Sequence, residues 1–200
     1  MKKHQLTILF LFSIIFLFGQ SSSDKAAHTI GIAYYGDLGF RPGIEVDFGI
    51  NLRNTQKEKK SSILERQLNF RPALTYYRYP HFSNNFSAAL KLNYQFKFIN
   101  PKKDRHVFIE PFIKVGYLRY FFAGEVFEMT NNGFEEVSFG GSNSLIFGGA
   151  FDLGGSLSKK VDWLVGFDYF AESTEDQLIL HRFAIKLGTR IKINTKTKTK

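Results

Sequence analysis

The chain has 200 residues, and its content of 44% hydrophobic and 16% aromatic residues is enough to bury a core, so the composition is not that of a disordered protein. It carries a formal net charge of +9 and no cysteine, which excludes disulfides, thiolate metal sites, a cysteine nucleophile and an acylated-cysteine lipid anchor. A mean hydropathy of -0.18 in so aromatic a chain fits alternating strands better than membrane helices.

The N-terminus predicts a signal peptide. Residues 1–5 are basic, and residues 6–18 form an uncharged, mostly apolar run that is too short to span a bilayer. We therefore expect residues 1–23 to be a signal peptide, with cleavage between about residues 19 and 27. An uncleaved helical anchor is the alternative interpretation of this run.

Period-2 alternation of polar and apolar residues predicts eight strands after this leader. In the last strand, Phe183, Ile185 and Leu187 lie on one face, and the basic residues Lys186 and Arg190 lie on the other. Pro72 and Pro111 fall inside predicted strands and count against them, because proline cannot donate to a ladder. The predicted strands are 29–36, 44–53, 64–77, 86–98, 107–121, 144–157, 161–171 and 181–193.

Alternation alone does not say which face is inside, and a secreted soluble lipocalin-like barrel that binds an apolar ligand would show the same pattern. Three features favour a transmembrane barrel with the polar face inward. Small residues suited to a narrow lumen recur on the polar face: Gly49, Gly116, Gly148, Gly154, Gly166 and Gly188. The same face mixes carboxylates with the cations that they could neutralise: Glu45, Asp47, Glu110, Asp152 and Asp168 with Arg53, Arg71, Lys91, Lys114, Arg182, Lys186 and Arg190. Aromatic residues near the strand ends resemble interfacial girdles: Tyr76, Tyr77, Tyr79, Tyr94, Phe96, Phe98, Tyr117, Tyr120, Phe121, Phe122, Trp163 and Tyr169.

The charges of the connections support the strand count. The second (55–62), fourth (102–105) and sixth (159–160) connections are basic, as is the tail at 194–200, whereas the fifth and the seventh, with Glu172, Glu175 and Asp176, are acidic. In an up-and-down barrel the basic connections share one rim with both termini. The predicted fold is therefore an all-β, eight-stranded antiparallel up-and-down transmembrane β-barrel over residues 28–193, followed by a basic tail.

The segment Lys186-Leu-Gly-Thr-Arg-Ile-Lys-Ile193 is similar to the closing-strand signature of outer-membrane barrels. With the leader and the eight strands, it makes the chain resemble the small outer-membrane β-barrel families of Gram-negative bacteria, such as OmpX and the OmpA transmembrane domain. The resemblance implies a cell outer membrane location, contact with outer-membrane lipid and lipopolysaccharide, and insertion by the barrel-assembly machinery. It carries over no catalytic residue.

One local motif suggests chemistry. His81-Phe-Ser83-Asn84 resembles the His-x-Ser-Asn core of outer-membrane lipid A deacylases, which implies His81 as base and Ser83 as nucleophile. The motif departs from the family because it follows the third strand instead of lying late in the barrel, and because Gln95 stands where a glutamate is wanted. We therefore expect no catalytic, cofactor or metal site, and the dispersed positive charge predicts no nucleic-acid binding. A lipid A deacylase-like hydrolase remains an alternative.

The connection over residues 123–143 is the longest and carries four glutamates without lysine or arginine. Asn131-Asn-Gly133 between two apolar-containing runs is a strong hairpin signal, so we expect strands to continue beyond the bilayer as a protruding ribbon. Its edge could add a strand to a protein partner. The sequence thus predicts a non-enzymatic barrel with a packed lumen, acting as an envelope-structural or surface-interaction protein through its outer loops.

Overall fold

The computed structural model describes residues 28–37, 41–59, 62–102, 105–130, 133–136, 140–173 and 178–193, and these form ten strands. The predicted signal peptide (1–23) and the basic tail (194–200) lie outside the described residues. The strands are β1 (His28–Asp37), β2 (Arg41–Lys59), β3 (Ser62–Tyr79), β4 (Ser83–Asn100), β5 (Arg105–Phe122), β6 (Phe127–Thr130), β7 (Gly133–Glu136), β8 (Asn143–Ser156), β9 (Val161–Ser173) and β10 (Ile179–Ile193).

Eight of the strands close into one antiparallel barrel in the order β1-β10-β9-β8-β5-β4-β3-β2, while β6 and β7 form a separate two-stranded sheet. The barrel closes where β10 pairs with β1, in a register that runs from His28 opposite Ile193 to Asp37 opposite Ala184. If the β6–β7 insertion is not counted, each of the remaining barrel pairs joins strands that are consecutive in the sequence. The predicted eight-stranded up-and-down barrel is confirmed. Within the described ranges, no helix is long and apolar enough to cross a membrane.

Seven of the eight barrel strands are longer than the alternation predicts, above all β2. The expected turn at 55–62 is wrong, because ladder pairing continues from Thr55 opposite Arg66 to Lys59 opposite Ser62. The register between β2 and β3 shifts between Asn51 and Arg53, as at a β-bulge. This shift pairs Arg53 with the outward residue Leu68 and leaves it exposed, so the prediction that Arg53 belongs to the interior is wrong.

The two prolines that counted against their strands are accommodated. Pro72 lies opposite Leu90 in an unbroken β3–β4 register. At Pro111, the pairing of β5 with β4 is interrupted between Phe112 and Ile109, while the pairing with β8 runs through. Because proline removes only its own N–H, the ladder on the other side of the strand is kept.

The two faces of the barrel have opposite chemistry. Apolar side chains of every barrel strand point outward and are exposed, while the alternate positions are buried and largely polar or charged. This is the reverse of the arrangement in a soluble barrel that encloses an apolar ligand. The six glycines of the polar face point inward as predicted, and at Gly188 a Cβ atom would overlap the carbonyl oxygen of Ile32 on the neighbouring strand. The narrow interior therefore depends on the absence of a side chain there.

The strand order assigns each connection to a rim. One rim, here called the terminal rim, holds His28 and Ile193 together with the connections after β2, β4 and β8. The opposite rim, here called the loop rim, holds the connections after β1, β3 and β9 and the β6–β7 sheet. The connections predicted to be basic and those predicted to be acidic therefore leave from opposite rims, while Glu175, Asp176 and the basic tail lie outside the described residues. Glu172 was predicted to lie in the seventh connection, but it belongs to β9 and is buried.

Candidate functional site

The middle of the barrel is filled by a continuous chain of ion pairs. Lys91 Nζ lies 2.7 Å from Glu45 Oε2. Lys186 Nζ lies between two carboxylates, 3.6 Å from Glu45 and 2.8 Å from Asp152. Arg190 then bridges Asp152 at 2.7 Å and Glu110 at 2.6 Å. Alternating charges of this kind neutralise one another, as buried charges require.

Glu110 is the most heavily bonded carboxylate of this chain. Arg71 donates to Glu110 Oε1 at 3.0 Å and to Asp47 Oδ1 at 2.5 Å, which completes the network. The amides of Asn93 and Gln95 also donate to Glu110, each at 2.7 Å. Lys114 and Asp168 form a further pair at 2.7 Å. All the predicted interior charges except Arg53 therefore lie inside the barrel.

Aromatic rings inside the barrel contact the same cations. The ammonium groups of Lys91 and Lys186 lie 5.3 and 4.7 Å from the centroid of the Phe112 ring, and that of Lys114 lies 4.1 Å from the centroid of Phe170. Cation–π attraction is strongest for desolvated cations such as these. Phe112 and Phe170 are inward apolar residues that broke the predicted alternation, and these contacts give a physical reason for both.

A second polar cluster closes the interior at the loop rim. Glu172 accepts hydrogen bonds from Tyr120 at 2.6 Å, Ser144 at 2.9 Å and Arg182 at 2.7 Å. Arg182 also lies 3.5 Å from Asp37. Tyr120 and Tyr77 were predicted to belong to an interfacial girdle, but both rings are buried in the interior. Neighbouring residues of a strand point to opposite faces, so an aromatic run at a strand end cannot lie wholly in a girdle.

The terminal rim opens into a polar recess. Lys97 pairs with Glu65 at 3.0 Å. Lys192 donates to Asp162 Oδ1 at 2.9 Å, and Nε2 of the His106 ring lies 3.0 Å from the same oxygen. The recess leads inward to Arg71 and Arg190 of the central network. Within the described part of the chain, no group of three or more His, Cys, Asp or Glu side chains could hold a metal ion.

The loop rim carries a small hairpin that stands apart from the barrel. β6 and β7 pair from Phe127 opposite Glu136 to Thr130 opposite Gly133. Gly133 has a φ of 115°, a conformation that favours glycine. Phe127, Met129 and Phe134 share one face of this hairpin and are 53%, 82% and 76% exposed. The predicted hairpin is confirmed, but it is not continuous with the barrel, because its strands form their own sheet. Val137, the next apolar residue of this connection, lies outside the described residues.

The base of the hairpin is anchored to the β3–β4 turn. The Ala123 N–H donates to the Phe82 carbonyl at 2.9 Å, and the Phe82 ring meets the Phe122 ring edge-on at 6.1 Å. Below this point the Phe122 and Tyr120 N–H groups donate to the carbonyls of Gly140 and Ser142. The hairpin therefore projects from a fixed base.

The same turn contains the residues of the deacylase-like motif. His81 is exposed and adopts a left-handed φ of 62°, whereas Ser83 begins β4, points into the barrel and is 1% exposed. Ser83 Oγ has no hydrogen-bond partner among the described residues, so no bond joins it to the His81 ring. The two residues are separated in sequence only by Phe82, but they face different environments.

In the described part of the chain, the outward face is apolar, the interior charges are neutralised, and the closed ladder leaves none of the eight barrel strands with an unpaired edge toward lipid. The chain is an eight-stranded transmembrane β-barrel. Neither a protein-family model nor a curated protein matches its sequence.

Two solved structures are similar to this barrel in outline. The outer membrane enzyme PagL matches with a TM-score of 0.43 and 14% sequence identity, over 84% of this chain and 99% of PagL. Ail, the attachment invasion locus protein of Yersinia pestis, matches with a TM-score of 0.32 and 9% identity, over 86% of this chain and all of Ail. At these TM-scores, the assignment of the fold rests on the strand pairing and the two faces of the barrel itself.

Proposed function

We propose that this chain is a non-enzymatic barrel of the bacterial outer membrane that acts as a surface-interaction protein through the loop-rim hairpin. The observation that supports this proposal is the exposed apolar face of β6 and β7, which neither strand buries against the barrel. Exposed apolar surface rimmed by charge is typical of interaction sites.

The chemistry of the hairpin indicates its partner class. Its connection carries Glu125, Glu128, Glu135 and Glu136 and no basic residue, so a protein with a basic, partly apolar surface would complement it. Both outer edges of the two-stranded sheet are available for strand addition, since β6 and β7 pair only with each other in the described structure. The rest of the barrel would then serve as the anchor.

Surface labelling tests location and orientation together. The chain has no native cysteine, so a single cysteine can be introduced at Glu135 on the hairpin or at Lys102 at the terminal rim. On intact cells, a membrane-impermeant maleimide should label Glu135→Cys and spare Lys102→Cys, while both should react after lysis. The reverse pattern would place the hairpin in the periplasm and contradict the proposal.

The non-enzymatic part of the proposal has its own test. The deacylase-like alternative requires that Ser83 and His81 act together, whereas Ser83 faces the interior. Expression of the wild-type barrel should leave the acyl content of lipid A unchanged, as measured by mass spectrometry. Loss of an acyl chain that Ser83→Ala and His81→Ala both prevent would show that the protein is a hydrolase.

A further inference from the structure

The β2 strand extends well beyond its neighbour β1 at the terminal rim. Its pairing with β1 ends where Thr29 lies opposite Gly49, whereas its pairing with β3 continues to Lys59 opposite Ser62. Among the described residues, the segment 53–59 is therefore paired on one side only. At about 3.4 Å per residue, this segment offers about 24 Å of unpaired strand edge, here called the free edge.

The free edge lies beyond the part of β2 that faces lipid. Leu52 is the last apolar residue of the strand, and every residue from Arg53 to Lys59 is polar or charged. In an antiparallel strand, about half of the backbone N–H and C=O groups point to each neighbour. The groups of the free edge that point away from β3 are thus directed into the aqueous phase at the terminal rim.

A cluster of side chains holds the free edge in a fixed shape. Glu65 of β3 accepts hydrogen bonds from Asn54 of β2 at 2.6 Å and from Gln67 at 2.7 Å. Lys97 of β4 forms an ion pair with the same carboxylate at 3.0 Å. These contacts tie three neighbouring strands together. An edge that is already ordered loses little conformational freedom when another strand pairs with it, which favours strand addition.

The outward side chains of the free edge are basic. Arg53 lies opposite the outward residue Leu68, so Arg53, Thr55 and Lys57 share the outward face. All three are exposed, and neither Arg53 nor Lys57 forms an ion pair with another described residue. Because the two cations are four residues apart, an added strand would meet them at its own positions i and i+4.

Charge restricts what the free edge can pair with. The basic tail at 194–200 and the free edge of a second copy carry the same sign of charge, so they would be repelled. The acidic β6–β7 hairpin of a second copy lies at the opposite rim of the barrel. The free edge therefore favours a separate chain that carries acidic residues on one face of an extended segment.

We propose that the free edge binds an extended acidic segment of a periplasmic protein by β-strand addition. The backbone groups of residues 53–59 supply the ladder, and Arg53 and Lys57 select a strand with carboxylates at positions i and i+4. The compartment of the partner rests on the proposed outer-membrane location with the loop rim outward, whereas the recognition chemistry does not. This second site would connect the barrel to the periplasm, independently of the β6–β7 hairpin.

The test uses the mature barrel in non-ionic detergent and a fluorescein-labelled peptide, Thr-Glu-Val-Thr-Val-Glu-Thr, whose glutamates are four residues apart. The comparison peptide has lysine in place of both glutamates. Fluorescence polarisation measures the dissociation constant of each peptide. An edge variant combines Arg53→Glu with Lys57→Glu. A matched rim variant combines Lys102→Glu with Lys160→Glu, at two exposed lysines of the terminal rim that lie outside the free edge.

A cysteine cross-link locates the bound peptide. The chain has no native cysteine, and Thr55→Cys places one on the free edge, opposite a cysteine at the centre of the peptide. Arg66→Cys is the matched control, because Arg66 is exposed on the same face but belongs to β3, which is paired on both sides. Disulfide formation is followed on a gel without reductant, and the migration of unboiled samples shows that each variant is folded.

We expect the acidic peptide to bind the wild-type barrel at least about tenfold more tightly than the lysine peptide. The edge variant should reverse this preference, and the rim variant should keep it. Thr55→Cys should cross-link to the acidic peptide at least about fivefold faster than Arg66→Cys, because only adjacent strands bring two cysteines within disulfide distance.

Equal binding of the two peptides, or no binding of either, would overturn the inference. Loss of the preference in the rim variant, or equal cross-linking at the two cysteines, would also overturn it, because binding would then reflect the general charge of the rim. Binding by a barrel that begins at His28 but not by the mature barrel would show that the chain's own N-terminal segment occupies the edge, which equally contradicts the inference. Orientation is measured separately by surface labelling, so a failure of peptide binding leaves the proposed function intact.

Discussion

Glu110 shows how a single carboxylate organises the interior of this barrel. It accepts hydrogen bonds from two arginines and two amides that come from three other strands, so it ties β3, β4 and β10 to β5. Removing one partner of a buried charge network leaves the remaining charges without compensation. The stability of the barrel should therefore be far more sensitive here than at an exposed glutamate.

Glu110→Gln should lower the free energy of unfolding by roughly 3–5 kcal/mol, because the buried side chains of Arg71 and Arg190 then lose their shared counter-charge. Urea titration in detergent, followed by the migration of unboiled samples on a gel, measures this change. Glu136→Gln on the hairpin is the matched control, and it should leave the midpoint unchanged. A Glu110→Gln barrel with a wild-type midpoint would mean that the network does not stabilise the fold.

The sequence predicts the identity of the interior charges well, since strand parity alone selects Lys91, Lys186 and their carboxylate partners. It does not predict which charged residues form ion pairs with each other, because this pairing depends on the stagger of the strands around the closed barrel. Arg53 was misplaced because a bulge reverses parity, and alternation in the sequence gives no sign of it. Phe112 and Phe170 are exceptions to the polar–apolar alternation, because these inward apolar rings contact the ammonium groups of lysine side chains.

At the scale of elements, the Asn-Gly signal correctly predicts the β6–β7 hairpin, since a positive φ is needed at Gly133. Strand ends were less predictable. In β2 the ladder with β3 continues through the polar and charged residues 54–59, beyond the apolar alternation that predicted the strand. The separation of the hairpin from the barrel ladder was also not predictable from local sequence.

Because β6 and β7 pair only with each other in the described structure, the barrel should not depend on them. Replacing residues 125–138 by a two-residue Asn-Gly turn should change the unfolding midpoint by no more than a surface substitution does. Urea titration of both proteins measures this. Gly188→Val is the contrasting variant, and it should prevent barrel closure because its side chain would overlap β1 at Ile32. A hairpin deletion as damaging as Gly188→Val would show that the hairpin is part of the folding unit.

For the whole molecule, the central claim is that the apolar outward face lies in lipid while the charges stay inside. The alternation predicted both faces, but only the closed register from β1 to β10 shows that every strand contributes to them. The single tryptophan reports directly on this arrangement, because Trp163 lies on the outward face of β9.

Fluorescence of Trp163 in reconstituted vesicles tests the claim most directly. The wild-type barrel needs no labelling, and lipids brominated in their acyl chains quench only a tryptophan that contacts them. We expect strong quenching by brominated lipid, little quenching by iodide in the aqueous phase, and blue-shifted emission relative to the urea-unfolded chain. Emission that iodide quenches and brominated lipid does not, from a protein that stays folded in water without detergent, would contradict the transmembrane barrel.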